Sequence, residues 1–197
     1  VSSPIRNVPI LLPLYIFCGE PLLRARLRVS NIDGAAGSKE ELQRIVGQIR
    51  QAWPGVRVLV RGDSGFCREE LMAWCEEAGV DYVLGLAKND RLRAEIALEL
   101  QEVAEEYQGT GKAVRRFKEF EYQTRESWSR ARRVVGKAEH LEKGPSPRFV
   151  VTSLKSDGVN PKSETLVNPG CMQRMEENEC RRRSEGGGTV RSISGKW

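Results

Sequence analysis

The sequence predicts an α/β fold built on one mixed sheet. Three observations carry this: a pair of alternating apolar runs around a turn near the start, two β-branched runs each followed by a helical stripe, and a second alternating pair over 112–137. Hairpin, then strand, helix, strand, helix is the order of a sheet with parallel central strands and antiparallel margins. A length of 197 residues suits one core of ordinary size.

Residues 14–18 and 22–29 read as the first hairpin, joined by Gly19-Glu20-Pro21. In its second strand Leu23, Ala25, Leu27 and Val29 alternate with Arg24, Arg26 and Arg28, so a basic face outward is expected. Ser38 and Glu41 have the spacing of a capping box, and Leu42, Ile45, Val46 and Ile49 form one stripe of a helix ending near Trp53-Pro54-Gly55. Residues 56–60 form an apolar run closed by Arg61-Gly62-Asp63-Ser64-Gly65, the pattern of a buried strand that delivers a carboxylate at its exit. That strand is expected between those of 14–18 and 82–86. A helix over about 68–78 turns Leu71, Met72, Trp74 and Cys75 inward, with Cys67 beside it, and Gly79 ends it. Residues 81–87 are the next buried strand, and a third helix runs over about 90–107.

After Gly109-Thr110-Gly111 the composition changes. Residues 112–137 hold nine basic side chains against three acidic ones, with Phe117, Phe120, Tyr122 and Trp128 among them. Their alternation predicts a second hairpin, and 148–154 a further strand. Residues 156–197 combine scattered Pro, Arg and Gly with few aliphatic side chains and read as disordered. The expected division is therefore 9–111 as a core, 112–155 as a β-rich basic insertion, and 156–197 as a tail.

Composition narrows the functional classes. No stretch approaches the roughly 18 apolar residues of a membrane span. Thirty-two Lys and Arg against 27 Asp and Glu leave +5, a weak preference for a polyanionic partner. Cys18, Cys67, Cys75, Cys171 and Cys180 contain no C-x-x-C pair, and His140 is the lone histidine, which argues against a disulfide framework or a structural zinc and favours a reducing cytosol. The N-terminus shows no signal-peptide pattern.

Asp63 is the first candidate site residue, because open α/β sheets build sites at strand exits and Gly62 and Gly65 permit close approach. A carboxylate that only caps its own turn explains the same residues equally well. The second candidate is the basic strip Arg115, Arg116, Arg125, Arg130, Arg132, Arg133 and Lys137, where guanidinium and ammonium groups would neutralise phosphates, with Trp128 offering a face for an unpaired base. Its alternative is a solvated sheet surface with Phe117 and Phe120 as core. Cys67 and Cys75 read as packing and His140 as a surface residue. No nucleophile elbow, phosphate-binding loop or dinucleotide fingerprint is present.

Four strings in order carry a family resemblance: Leu12-Pro13-Leu14-Tyr15-Ile16-Phe17-Cys18-Gly19-Glu20, Leu59-Val60-Arg61-Gly62-Asp63-Ser64-Gly65-Phe66-Cys67, Tyr82-Val83-Leu84-Gly85-Leu86-Ala87-Lys88-Asn89 and Arg125-Glu126-Ser127-Trp128-Ser129-Arg130. Over roughly 9–154 the chain resembles the DDE-type transposases of bacterial insertion sequences, DDE group 1. The resemblance implies a ribonuclease H-like mixed sheet with flanking helices and a β-rich basic insertion. Three acids would hold two divalent metals, usually Mg²⁺, to cut and rejoin DNA at transposon ends in the bacterial cytoplasm. Two metals neutralise the entering and leaving oxygens of phosphodiester attack, and carboxylates are the right ligands for Mg²⁺.

Asp63 matches the second acid of that pattern, and Arg125, Trp128, Arg130, Arg132 and Arg133 would lie against transposon-end DNA. A homodimer is the implied assembly of an intact member. Two departures stand out. The first acid belongs on a strand preceding Leu14, where residues 1–12 offer none. The third belongs on a C-terminal helix with a Tyr, Arg, Glu, Lys signature, where Arg174, Glu176, Glu177 and Glu179 occur without the Tyr or the spacing. The expectation is a DDE transposase domain truncated at both ends and catalytically inactive. Two other readings stay open: a non-enzymatic basic nucleic-acid-binding module, and a doubly wound phosphotransfer or hydrolase domain around Asp63.

Overall fold

The computed structural model describes residues 11–155 and, by backbone alone, 190–196. The strands are β1 Leu11–Cys18, β2 Leu22–Val29, β3 Arg57–Gly62, β4 Asp81–Leu86, β5 Val114–Tyr122, β6 Arg132–Leu141, β7 Gly144–Pro145, β8 Arg148–Thr152 and β9 Val190–Lys196. The helices are α1 Ser38–Ala52, α2 Glu69–Glu77, α3 Asp90–Glu95 and α4 Ala97–Thr110, with a short 3₁₀ turn at Ser64–Phe66. All nine strands form one sheet in the order β2-β1-β9-β3-β4-β8-β6-β5, with β7 paired to β6. Only β3 with β4 and β3 with β9 are parallel; every other pair is antiparallel.

Both expected hairpins form, and the expected strand, helix, strand unit through β3, α2 and β4 has the parallel pairing such a crossover requires. The main core lies on one face of the sheet. There Leu14, Ile16, Val58, Val60, Leu84, Val134 and Val151 meet Leu42, Ile45 and Val46 of α1, Leu71, Met72 and Cys75 of α2, and Leu92, Ile96 and Val103 from the third helical region. The opposite face buries Leu59, Val135 and Val150, with Val83 and Phe117 packed beside the last two. The strands of 112–155 thus continue the sheet of the first half through the β4–β8 ladder.

Several expectations change. β3 does not pair with β1, because β9 lies between them, pairing antiparallel to β1 and parallel to β3. Of the tail expected to be disordered, 156–189 lies outside the described residues, while 190–196 is this inserted strand. The third helix breaks at Ile96, whose backbone (φ −113°, ψ 23°) leaves the helical range. Ile96 is fully buried, and a Cβ on Gly136 of β6 would come within 2.7 Å of its Cγ2. The break lets an isoleucine drop onto a spot of the sheet that carries no side chain. At α1 no capping box forms: Gly37, at φ 76°, is the N-cap, and Ser38 is a buried first residue. Cys67 lies just before α2.

The largest correction concerns β2. Its basic face turns inward, and Glu41 explains why. Glu41 sits on the sheet-facing side of α1 and its side chain is 9% exposed; Arg24, Arg26 and Arg44 all reach it, at 3.0, 3.4 and 3.1 Å. Arg28 is buried as well and donates to the carbonyls of Gly34 and Ala36. Burial penalises the Arg28 cation, and that desolvation lowers its pKa from the usual value. The apolar residues of β2 consequently face outward.

Candidate functional site

Asp63 follows the last residue of β3, in extended backbone, and is half-buried. Its Oδ1 accepts the Gly65 N–H at 2.7 Å, and its carbonyl accepts the Phe66 N–H at 3.2 Å, so the side chain caps the 3₁₀ turn. The capping interpretation is therefore real geometry, and it also fixes the carboxylate in place. Neighbouring glycines explain how closely the turn is seated. A Cβ on Gly62 would lie 3.0 Å from Phe66 Cβ, and one on Gly85 of β4 would lie 2.9 Å from the Ser64 backbone nitrogen and 3.1 Å from the Asp63 carbonyl carbon. The Gly85 contact is backbone against side chain with no flexible group to yield. Gly85→Ala is expected to destabilise the chain by about 1–3 kcal/mol, the range for overpacking, measured by denaturant unfolding; unchanged stability would mean that the Asp63 turn is not held against β4.

The Asp33 carboxylate is already engaged. Asp33, in the loop before α1, receives Arg68 at 2.7 Å and the Ala35 N–H at 2.7 Å. The Arg68 hydrogen bond, helped by that N–H, holds its carboxyl below the ordinary value. Among the described residues no three of His, Cys, Asp or Glu come together in a way that could hold a metal ion.

Much of the basic strip has internal partners. Arg132 is buried, its side chain 3% exposed, and donates to both oxygens of Glu69 (2.6 and 3.0 Å) and both of Glu76 (2.8 and 3.1 Å). Glu76 also receives Arg130 at 2.7 Å and the Tyr82 hydroxyl at 2.7 Å, while Ser129 donates to Glu69 at 2.5 Å. Trp128 is buried, edge-on to Tyr122 at 5.9 Å and beneath the Arg132 guanidinium at 5.6 Å. Lys137 is buried on Glu139 at 2.6 Å. Arg133 holds Glu119 and the Leu154 carbonyl, and Arg116 holds Glu102 and Glu106 of α4. Arg115 and Arg125 are exposed, as is Arg130 despite its bond to Glu76.

The structure therefore removes Trp128, Arg132 and Lys137 from the surface in this conformation, and leaves Arg115, Arg125 and Arg130 outward. What it brings together instead is the loop 123–131 and α2, the helix that leads away from Asp63. Protonation follows the geometry. Arg132 pulls the Glu69 carboxyl down to about 2 through its hydrogen bonds, against the opposing effect of burial. Burial works against the charged form of Glu76, yet hydrogen bonds from Arg132, Tyr82 and Arg130 outweigh it and lower its pKa. Burial likewise opposes the charge of Arg132, and Glu76 and Glu69 overcome it, raising the pKa. Burial pushes the Cys67 thiol up to about 11 and that of Cys75 to about 12, which keeps both as unreactive thiols.

Sequence reasoning missed Glu69 and Glu76. Their spacing of seven on one amphipathic helix places both on the same side two turns apart, and that was the available signal. His140, expected at the surface, is half-buried against Tyr107 with ring centroids 4.5 Å apart.

Comparison with known proteins supplies what the geometry alone does not. No curated protein matches the chain. Residues 11–185 match the family described as transposase DDE domain group 1, a span that continues past the 9–154 over which the four strings were read. A mixed sheet with helices packed on it, ending a parallel strand in a fixed aspartate, is compatible with the ribonuclease H-like fold of such domains. The match covers most of the chain, from β1 to beyond β8, and on that ground the chain belongs to the transposase DDE domain group 1 family, which ties its function to DNA transposition.

Proposed function

We propose that this chain is a DNA-engaging DDE transposase domain that binds duplex DNA without cutting it. Family members use divalent metal ions. The donor set of the described residues does not fit a pair of them: Asp63 stands as the matching acid, one of its oxygens is committed to Gly65, and no cluster of three ligands forms around it. A lone carboxylate cannot neutralise both oxygens of an in-line displacement, so no step through a metal is assigned. That isolation of Asp63 is the observation carrying the proposal.

DNA contact is assigned to the cations left outward, Arg115, Arg125 and Arg130, with transposon ends as the specific substrate and a homodimer as the assembly. Arg115 is on the edge strand β5 and the other two lie on the loop 123–131, a layout that suits phosphate contacts along a duplex. Trp128 and Arg132 act in this proposal as the rigid support of that loop, and the domain division into a core over 9–111 and a DNA-facing insertion over 112–155 is part of the same reading.

The test pairs a labelled duplex with a supercoiled plasmid, each with Mg²⁺ or Mn²⁺. The chain is expected to bind the duplex in a salt-dependent way, to leave the plasmid intact, and to behave identically after Asp63→Ala. Changing Arg115, Arg125 and Arg130 to Glu is expected to weaken binding and to flatten the slope of log affinity against log salt by about 0.9 per lost phosphate contact. Metal-dependent nicking that disappears in Asp63→Ala would overturn the inactive reading. Unchanged affinity and slope in a folded triple variant would overturn the assignment of the DNA surface.

A further inference from the structure

We propose that the free edge of β2 docks an extended acidic peptide of another protein. The peptide adds to the sheet as one more strand, its carboxylates toward Arg24, Arg26 and Arg44 and its apolar side chains at the alternate positions. Among the described residues β2 ends the sheet: β1 pairs with one of its edges and no strand with the other. Such an edge presents a row of main-chain N–H and C=O groups, and an added strand is what satisfies it. Beside it runs a groove of about 290 Å³, lined by Arg26 and Arg28 from one face of β2, by Leu27 and Val29 from the other, and by Ile32. A Cβ on Gly37 would come within 2.9 Å of Arg26 Nη1, so the missing side chain there seats the guanidinium at the groove wall.

Charge selects the occupant. Arg24, Arg26 and Arg44 converge on the single carboxylate of Glu41, three guanidinium groups to one counter-ion. Their side chains are 39, 46 and 49% exposed, whereas that of Glu41 is 9% exposed, so the surplus positive charge faces outward. Arg26 and Arg44 each spend one amino group on Glu41, and the other donors of both forks have no partner among the described residues. A second β2 at this edge would set arginine against arginine, while an acidic strand sets carboxylate against guanidinium in charge-assisted hydrogen bonds. Strand side chains alternate, so a peptide whose acids meet the arginines turns its other residues to the face of Leu27 and Val29, which are both exposed. Duplex DNA would meet the arginines too, but it has neither a strand edge nor apolar groups to set against Leu27, Val29 and Ile32. The proposal does not depend on the DNA contacts assigned to Arg115, Arg125 and Arg130, which lie on or next to β5, at the opposite end of the sheet.

Fluorescence anisotropy of a short labelled peptide of alternating glutamate and valine, titrated with the full chain, tests it. Saturable binding is expected at roughly micromolar concentrations, and none for the same peptide with lysine in place of glutamate. Arg26→Gln combined with Arg44→Gln is expected to raise the peptide dissociation constant at least about tenfold, with unchanged circular dichroism and unchanged affinity for a labelled duplex. Two N-methylated peptides, tested on the unaltered chain, separate strand addition from charge alone. Methyl groups on the glutamate nitrogens block one edge of the peptide and those on the valine nitrogens the other, so one version is expected to lose binding and the other to keep it. Equal affinity of the two versions overturns the proposal, as does a parent peptide that shows no saturable binding or is matched by the lysine peptide. A double variant that loses duplex affinity and keeps the peptide makes these arginines a DNA surface, and overturns it as well.

Discussion

Replacing Arg132 with methionine is expected to cost about 3–5 kcal/mol of folding stability, the usual loss when one partner of a buried ionic cluster is removed and its counterions remain. Methionine keeps the apolar stem of the side chain and removes the guanidinium, so the loss is chiefly one of charge and hydrogen bonds. Glu69 and Glu76 would each lose two hydrogen bonds, and the loop 123–131 would keep only Arg130 and Ser129 as ties to α2. Chemical denaturation measures it, and a loss under 1 kcal/mol would mean that the cluster contributes little.

The same variant has a signature in acid. The Glu69 pKa is held down at about 2 against an ordinary 4.5, chiefly by Arg132, and that of Glu76 is lowered as well. A depressed carboxyl pKa contributes stability that is complete above the unfolded value and lost as pH falls through the folded one. The unaltered chain is therefore expected to lose roughly 2 kcal/mol from Glu69 between pH 4.5 and 2, beyond any general acid effect, and Arg132→Met to show a flatter slope over that interval. Equal slopes would place the acid sensitivity elsewhere.

Removing residues 190–196 is the second large effect expected. Without β9, the β1–β2 hairpin has no strand connection to β3, and four pairings to β1 and five to β3 disappear together. At about 0.5–1.5 kcal/mol net for each hydrogen bond, the expected loss is on the order of 5 kcal/mol or more, with two sheet edges newly exposed. Hydrogen exchange is the direct measurement: the amides of β1 and β3 that point toward β9 should lose protection while those of the β6–β8 ladder keep theirs. Unchanged protection in β1 would show that α1 and the arginines around Glu41 suffice to hold the hairpin.

The two cases also show where sequence reasoning stops. Hairpins, buried parallel strands and the glycine-flanked Asp63 were legible because each is written in consecutive residues whose period or turn chemistry is local. The inward turn of β2 was not. Alternation fixes two faces but does not say which is covered, and the deciding residue, Glu41, lies beyond the loop on a helix. The basic strip misled in a related way. Its excess of nine to three within 112–137 looked uncompensated, whereas the counterions are Glu69 and Glu76 on α2 and Glu102 and Glu106 on α4. β9 was illegible because Val190, Ser192 and Ser194 against Arg191 and Ile193 carry no clear apolar period; its place is set by two open ladders, not by its own pattern.

The position of β9 also sets the order of events in folding. Cys18 pairs with Ile193, and Arg57 with Val190, so the centre of the sheet is closed by contacts among the most distant in the chain. Local hairpins and the β3–α2–β4 unit can form early, but contacts of long sequence separation pay their loop-closure entropy first and slow the search. During synthesis the hairpin, with its apolar outer face and an unpaired β1 edge, must wait for β9 to be made. For that interval it is the segment most open to misassociation.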